Sequence, residues 1–104
     1  MEKERKMISR YLVDGFENHP PIGIMYNLQT GKMTIGSRKN SSEMIAMILD
    51  YFGIENVPKP KEYGGHRIRV ELVVSYPKWS RGIKKMLLQQ VGIMQVDGFG
   101  RLLR

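Results

Sequence analysis

Arg67-Ile68-Arg69-Val70-Glu71-Leu72-Val73-Val74-Ser75-Tyr76, residues 67–76, decides the fold. In an extended chain successive side chains point to opposite faces, so Ile68, Val70, Leu72, Val74 and Tyr76 share one side and Arg67, Arg69, Glu71, Val73 and Ser75 the other. One face is fully apolar and the other begins charged, which is the pattern of a half-buried strand. Such a strand needs partners beside it and a cover over its dry face.

Residues 22–37 supply the partners. Ile22, Ile24, Tyr26 and Leu28 fall on one face while Gly23, Met25 and Asn27 fall on the other. Gln29-Thr30-Gly31-Lys32 then offers a turn in which Gly31 can adopt the left-handed conformation, and Met33 to Ser37 return as the second arm of a hairpin. Helices supply the cover. Asn40-Ser41-Ser42-Glu43 carries a helix-start signal, with Asn40 as the expected cap, and Met44, Ile45, Ile48, Leu49 and Phe52 line one face of a helix over 41–52. Gly53 is suited to cap its C-terminus, with Ile54 closing the end. A further helix is expected over 80–91, capped by Ser80, and another over about 2–16, where Met7, Ile8, Tyr11, Leu12 and Phe16 recur near helical spacing. Val57-Pro58-Lys59-Pro60-Lys61, followed by Gly64-Gly65, reads as a connecting loop. The tail has two readings: a continuation of the last helix, or, if Gly92 stops it, an extended Ile93 to Val96 turned by Asp97-Gly98 into a short strand over 99–103. The expected class is α+β, a small antiparallel or mixed sheet with helices packed on it.

A chain of 104 residues, 41% hydrophobic and 26% charged, suits one ordered domain over 1–104. With no cysteine, stability rests on packing and hydrogen bonds, and thiolate metal sites and disulfides are excluded. The charged Met1 to Lys6 segment does not have the pattern of a secretory signal, and the longest apolar run, Met44 to Leu49, is too short to span a bilayer. A cytoplasmic protein without a membrane partner is expected. Eight methionines, several on expected buried faces, read as core filler, although soft adaptable surfaces also use methionine.

The net charge of +7 is one-sided. Residues 1–57 form a neutral scaffold half, and residues 58–104 carry ten Lys/Arg against Glu62, Glu71 and Asp97. Such asymmetry points to an anionic partner. Arg67 and Arg69 project from the same strand face about 6 to 7 Å apart, near the spacing of successive phosphates. Arg81, Lys84 and Lys85 fall in the first turns of a helix that starts at Ser80, where cations oppose the macrodipole and therefore suggest a binding role. Lys59, Lys61 and Lys78 extend the patch, and Tyr76 and Trp79 are candidates for stacking on bases. A solvated basic surface accounts for the same residues without a ligand.

Catalytic residues are not evident. His19 and His66 have neither a second histidine nor a carboxylate at ligand spacing, and no carboxylate pair is set for acid–base or two-metal chemistry, so neither metal nor cofactor is expected. Gly23-Ile24-Met25 and Thr34-Ile35-Gly36-Ser37, joined across Thr30-Gly31-Lys32, resemble the opening hairpin of GIY-YIG endonucleases over about 15 residues. The resemblance implies a DNA-cleaving, metal-assisted ancestry. Met25 and Thr34 stand where that family has its two motif tyrosines, and the helix after the hairpin lacks the family's arginine.

The expected function is therefore non-enzymatic nucleic-acid binding through the phosphate backbone, with DNA and RNA both open. The alternative is a small interaction module, of the kind mobile elements encode as inhibitors or regulators, whose basic face docks on an acidic protein. A homodimer through the hairpin edge or the third helix is compatible with either.

Overall fold

The apolar alternation of the central strands recurs in the computed structural model, which describes residues 7–14, 20–89 and 92–103. The elements in chain order are β1 (Ile8–Val13), β2 (Ile22–Asn27), β3 (Lys32–Arg38), a single 3-10 turn (Lys39–Ser41), α1 (Ser42–Tyr51), β4 (Lys61–Tyr63), β5 (Arg67–Val73), α2 (Tyr76–Leu88) and β6 (Ile93–Val96). The strands form one six-stranded sheet in the order β4-β5-β3-β2-β1-β6. Every neighbouring pair is antiparallel. The class is α+β.

Residues directly opposite across an antiparallel pair share a face. On one face of this sheet lie Ile22, Ile24 and Tyr26 of β2, Met33 and Ile35 of β3, and Ile68 and Val70 of β5, all buried. Both helices cover that face, contributing Ile45, Ile48 and Leu49 from α1 and Trp79, Ile83 and Met86 from α2 to the same core. Trp79 anchors α2: its ring stacks on Tyr26 at 4.4 Å and 9°, and Tyr11 of β1 meets it edge-on at 5.9 Å. The Tyr26 hydroxyl donates to the Val74 carbonyl at 2.7 Å, a buried bond worth about 1 kcal/mol. The hairpin is thereby tied to the chain that leads into α2.

Several local signals hold. Gly31 turns the hairpin with φ +76°. Gly53, at φ +68°, ends α1: its N–H donates to the Asp50 carbonyl and that of Ile54 to the Leu49 carbonyl, the paired bonds of a Schellman cap.

Other expectations are corrected. The helix over 2–16 is not formed in its described part, where Ile8–Val13 is a strand paired residue for residue with β2. Its remaining residues, 2–6, 15 and 16, lie outside the described set. Tyr11 and Val13 point toward the helices while Ile8 and Leu12 point away, so the apolar spacing read as helical is that of a strand with apolar residues on both faces, and the open ladder of β2 selects the strand. The helix expected over 80–91 begins at Tyr76, with Ser75 rather than Ser80 as its cap and the Ser75 hydroxyl accepting from the Lys78 N–H at 3.4 Å. Pro77 fits the first turn, where no N–H is needed. The strand expected over 67–76 accordingly stops at Val73. Asn40 lies inside the 3-10 turn and caps nothing, and the loop around Lys61 contains the edge strand β4. The tail takes its extended reading, with β6 on β1, while residues 99–103 touch the sheet through one bridge, Leu102 to Val96. Both hairpin strands are internal, and the tail takes the Gln95 to Asp97 end of β6, so among the described residues the edge open to a second copy is that of β4 rather than the hairpin.

Among the described residues, no helix is long and apolar enough to cross a membrane. Gly82 is where α2 passes the end of α1, and a Cβ there would lie 2.1 Å from the Phe52 ring. Gly82→Ala gains about 1 kcal/mol of helix propensity. Overpacking a buried ring costs about 1 to 3 kcal/mol, and so close a contact belongs at the upper end. A net loss of about 2 kcal/mol in urea unfolding is expected, and an unchanged midpoint would mean that the Phe52 ring has room to swing aside.

Candidate anion-binding face of the sheet

With both helices on one side, the other face of the sheet carries no helix among the described residues, and the register sets out its residues rung by rung. One rung crosses all six strands: Lys61, Arg69, Gly36, Gly23, Leu12 and Met94. The next holds Glu71, Thr34, Met25, Arg10 and Val96. On the other side Tyr63, Arg67 and Arg38 stand in line. Lys32, opposite Val73, completes the set. The alternation that buries Ile68 and Val70 thus also lifts Arg67 and Arg69 onto this face.

Two like-charged pairs stand directly opposite each other on adjacent strands, Arg38 with Arg67 and Lys61 with Arg69. Such pairs are destabilising in a sheet, by on the order of 0.2 to 1 kcal/mol each. Glu71 offsets part of the repulsion. Its carboxylate lies 2.5 Å from Lys32 Nζ, 3.6 Å from Arg69 Nε and 3.7 Å from Lys61 Nζ. The hydrogen bond from Lys32 is the main reason the Glu71 carboxyl sits below the ordinary carboxylate value. Arg69 is also held by Tyr63: its guanidinium lies 4.4 Å over the ring, and its Nε donates to the hydroxyl at 3.2 Å. Among the described residues, Arg10, Arg38 and Arg67 form no ion pair.

Gly23 and Gly36 face each other in the middle of this surface. They floor a groove of about 290 Å³ flanked by Arg67 and Arg69 on one side and by Arg10 and Leu12 on the other. The Asp97 to Gly100 turn closes one end. Asp97 shapes that turn by accepting the N–H groups of Phe99 and Arg101, which together hold its carboxyl below the ordinary value.

The residues singled out in the sequence divide between two faces. Arg67, Arg69 and Lys61 come together on the open face, and Lys59 is exposed in the loop before β4. Lys78, Arg81, Lys84 and Lys85 lie on α2, across the sheet from them. Because α2 begins at Tyr76, Arg81 and Lys84 fall in its middle and Lys85 in its last turn, where the macrodipole favours cations. The conflict inferred from a start at Ser80 therefore does not exist. Trp79 is 4% exposed and spent on the core, so it presents no face to a base. Tyr76 is half exposed at the start of α2 and leans on Tyr26 and Trp79, away from the groove.

Arg10, Lys32, Arg38 and the glycine pair were missed. Arg10 was hidden by the helix reading of residues 2–16. Lys32, Thr34, Gly36 and Arg38 alternate as plainly as residues 67–73, and that signal was available. Met25 and Thr34, the residues at the GIY-YIG tyrosine positions, are opposite neighbours on this face. His66 closes the turn between β4 and β5, with Nδ1 2.8 Å from the Gly64 carbonyl, and His19 lies outside the described residues. Among the described residues, no group of three or more histidine and carboxylate side chains gathers to hold a metal.

A carboxyl whose value is lowered by folding stabilises the fold above its ordinary value of 4.5, and that contribution is lost as the pH falls through the lowered value. An NMR titration of the Glu71 side chain should give a midpoint below 4.5, moving back up in Lys32→Met. A wild-type midpoint at or above 4.5 would show that the cations do not hold this carboxylate. Compared with protein-family models, curated proteins and solved structures, the chain matches none.

Proposed function

We propose that this protein binds nucleic acid without catalysis, through the phosphate backbone, and that the open face of the sheet is the contact surface. The observation that carries the reading is the pair of like-charged rungs, Arg38 opposite Arg67 and Lys61 opposite Arg69. Two cations held side by side cost stability in the free protein, and an anion seated between them removes that cost. Phosphates repeat along a nucleic acid at a spacing that cations two residues apart on a strand can follow. An arginine presents its fork of donors to a phosphate oxygen pair, and Arg38 and Arg67 are exposed for that role. The base edges have no dedicated reader here, so recognition rests on backbone and shape.

Lys78, Arg81, Lys84 and Lys85 on α2 make a separate basic surface, which a longer nucleic acid reaches only by wrapping around the molecule. An acidic protein, the other partner the composition allows, would meet the same sheet cations. Nucleic acid added alone separates the two readings.

The test is fluorescence anisotropy with labelled DNA and RNA between about 50 and 300 mM salt. About four phosphate contacts, at about 0.7 to 0.9 per contact, give a loss of affinity on the order of 100- to 1,000-fold across that range. Arg38→Gln with Arg67→Gln should flatten the logarithmic salt slope by about 1.5 and leave thermal stability equal or higher, whereas neutralising Arg81, Lys84 and Lys85 should leave the slope unchanged. No binding at low salt, or a slope that responds only to the α2 substitutions, contradicts the reading.

A further inference from the structure

The cationic groove has a floor that the fold itself does not require. Glycine inside a strand weakens it and is usually explained by a bulge, a positive φ or a close neighbour. None of these applies at Gly23 and Gly36. The β2–β3 register advances one residue at a time through both positions, with no bulge. Neither glycine is among those with positive φ. A Cβ on Gly23 would find nothing nearer than the Gly36 carbonyl oxygen at 3.9 Å, and one on Gly36 nothing nearer than that of Ile68 at 3.5 Å, both ordinary contacts. A Cβ would therefore meet only ordinary contacts at either position, and almost any side chain would raise strand propensity over glycine. What the glycines leave is bare backbone in the middle of a charged face.

The rung through Leu12, Gly23, Gly36 and Arg69 gives that bare floor its dimensions. Adjacent strands lie about 4.8 Å apart, so about 14 Å separates the Leu12 and Arg69 positions, and among the described residues that rung carries no side chain between them, with Met25 and Thr34 on the next rung beside it. Leu12 offers an apolar flank, and the arginines stand at the sides. A flat, uncharged ring with an anionic group on either side fits this combination: the ring lies against exposed peptide planes, and its phosphates meet the guanidinium groups. A duplex keeps its bases paired and stacked inside, and unstacking one costs on the order of a few kcal/mol, so an unpaired strand reaches this floor more readily.

We infer that the groove seats an unpaired nucleobase on Gly23 and Gly36, with Arg67 and Arg69 holding the phosphates beside it, so that the ligand is single-stranded nucleic acid. The inference rests on the nucleic-acid reading of the same face and narrows it to one strandedness. DNA and RNA share the ring and the phosphates and are tested side by side.

The experiment measures binding of labelled single strands of about 15 nucleotides, DNA and RNA, and of the duplex formed from the same DNA sequence, at about 50 mM salt. Wild type should prefer at least one single strand to the duplex by about tenfold or more. Gly23→Val with Gly36→Val fills the groove and should cut single-strand affinity by about tenfold, with a melting temperature equal to or above that of wild type and weak duplex binding unchanged. Should the paired valines not fold, Gly23→Ala and Gly36→Ala, whose Cβ atoms meet only ordinary contacts, should each give a smaller loss in the same order. Folded glycine variants that bind single strands as wild type does overturn the inference, as does a wild-type preference for duplex; the phosphate-contact reading survives both results. Wild type that binds none of the three probes overturns that reading, and the base seat falls with it.

Discussion

The buried apolar side chains of β2, β3 and β5 all lie on one face of the sheet, and both helices are needed to cover it. Trp79 carries much of that cover. Its ring lies flat on Tyr26 and edge-on to Tyr11, while the Tyr26 hydroxyl holds the Val74 carbonyl just before α2 begins. Strand, hairpin and helix are thus fixed through one aromatic cluster. Truncating a buried tryptophan of this kind costs about 3 to 5 kcal/mol, a large share of the stability of a small domain.

Both described helices cover one face, and the same alternation then decides what the other face carries. A sheet face bearing only a solubilising function would mix its charges. Here like charges are set opposite each other, with Glu71 as a shared counterion for Lys32, Lys61 and Arg69. The side-chain-free positions fall on the rung that also holds Arg69 and Lys61. Unfavourable charge pairing and strand glycines are both local costs, they coincide on one rung, and that coincidence is what the proposed ligand is invoked to explain.

The parts of the fold that were legible in the sequence are those where one period dominates. The hairpin turned at Gly31, the helix closed by Gly53 and the strand through Val70 each carry a single unambiguous pattern with a matching turn or cap. Residues 8–13 do not, because apolar side chains on both faces of a strand mimic helical spacing, and only the unpaired edge of β2 resolves the choice. The start of α2 was misread because Ser75 and Ser80 are both competent caps, and Pro77 tips the balance toward the earlier one. That earlier cap removes the dipole argument for Arg81, Lys84 and Lys85. That Arg67 and Arg69 share a face is legible because their own strand alternates plainly. Their cross-strand partners could be named only once the register was known, since neither the pairing of β3 with β5 nor that of β1 with β2 is written in local sequence.

Amide chemical-shift mapping locates the contact surface without altering any residue. On titration with a short single strand at low salt, the amides of Gly23, Thr34, Gly36, Arg38, Arg67 and Arg69 should shift progressively, while those of Arg81, Lys84 and Lys85 stay in place. Shifts confined to α2, with the open face of the sheet unmoved, would contradict the account.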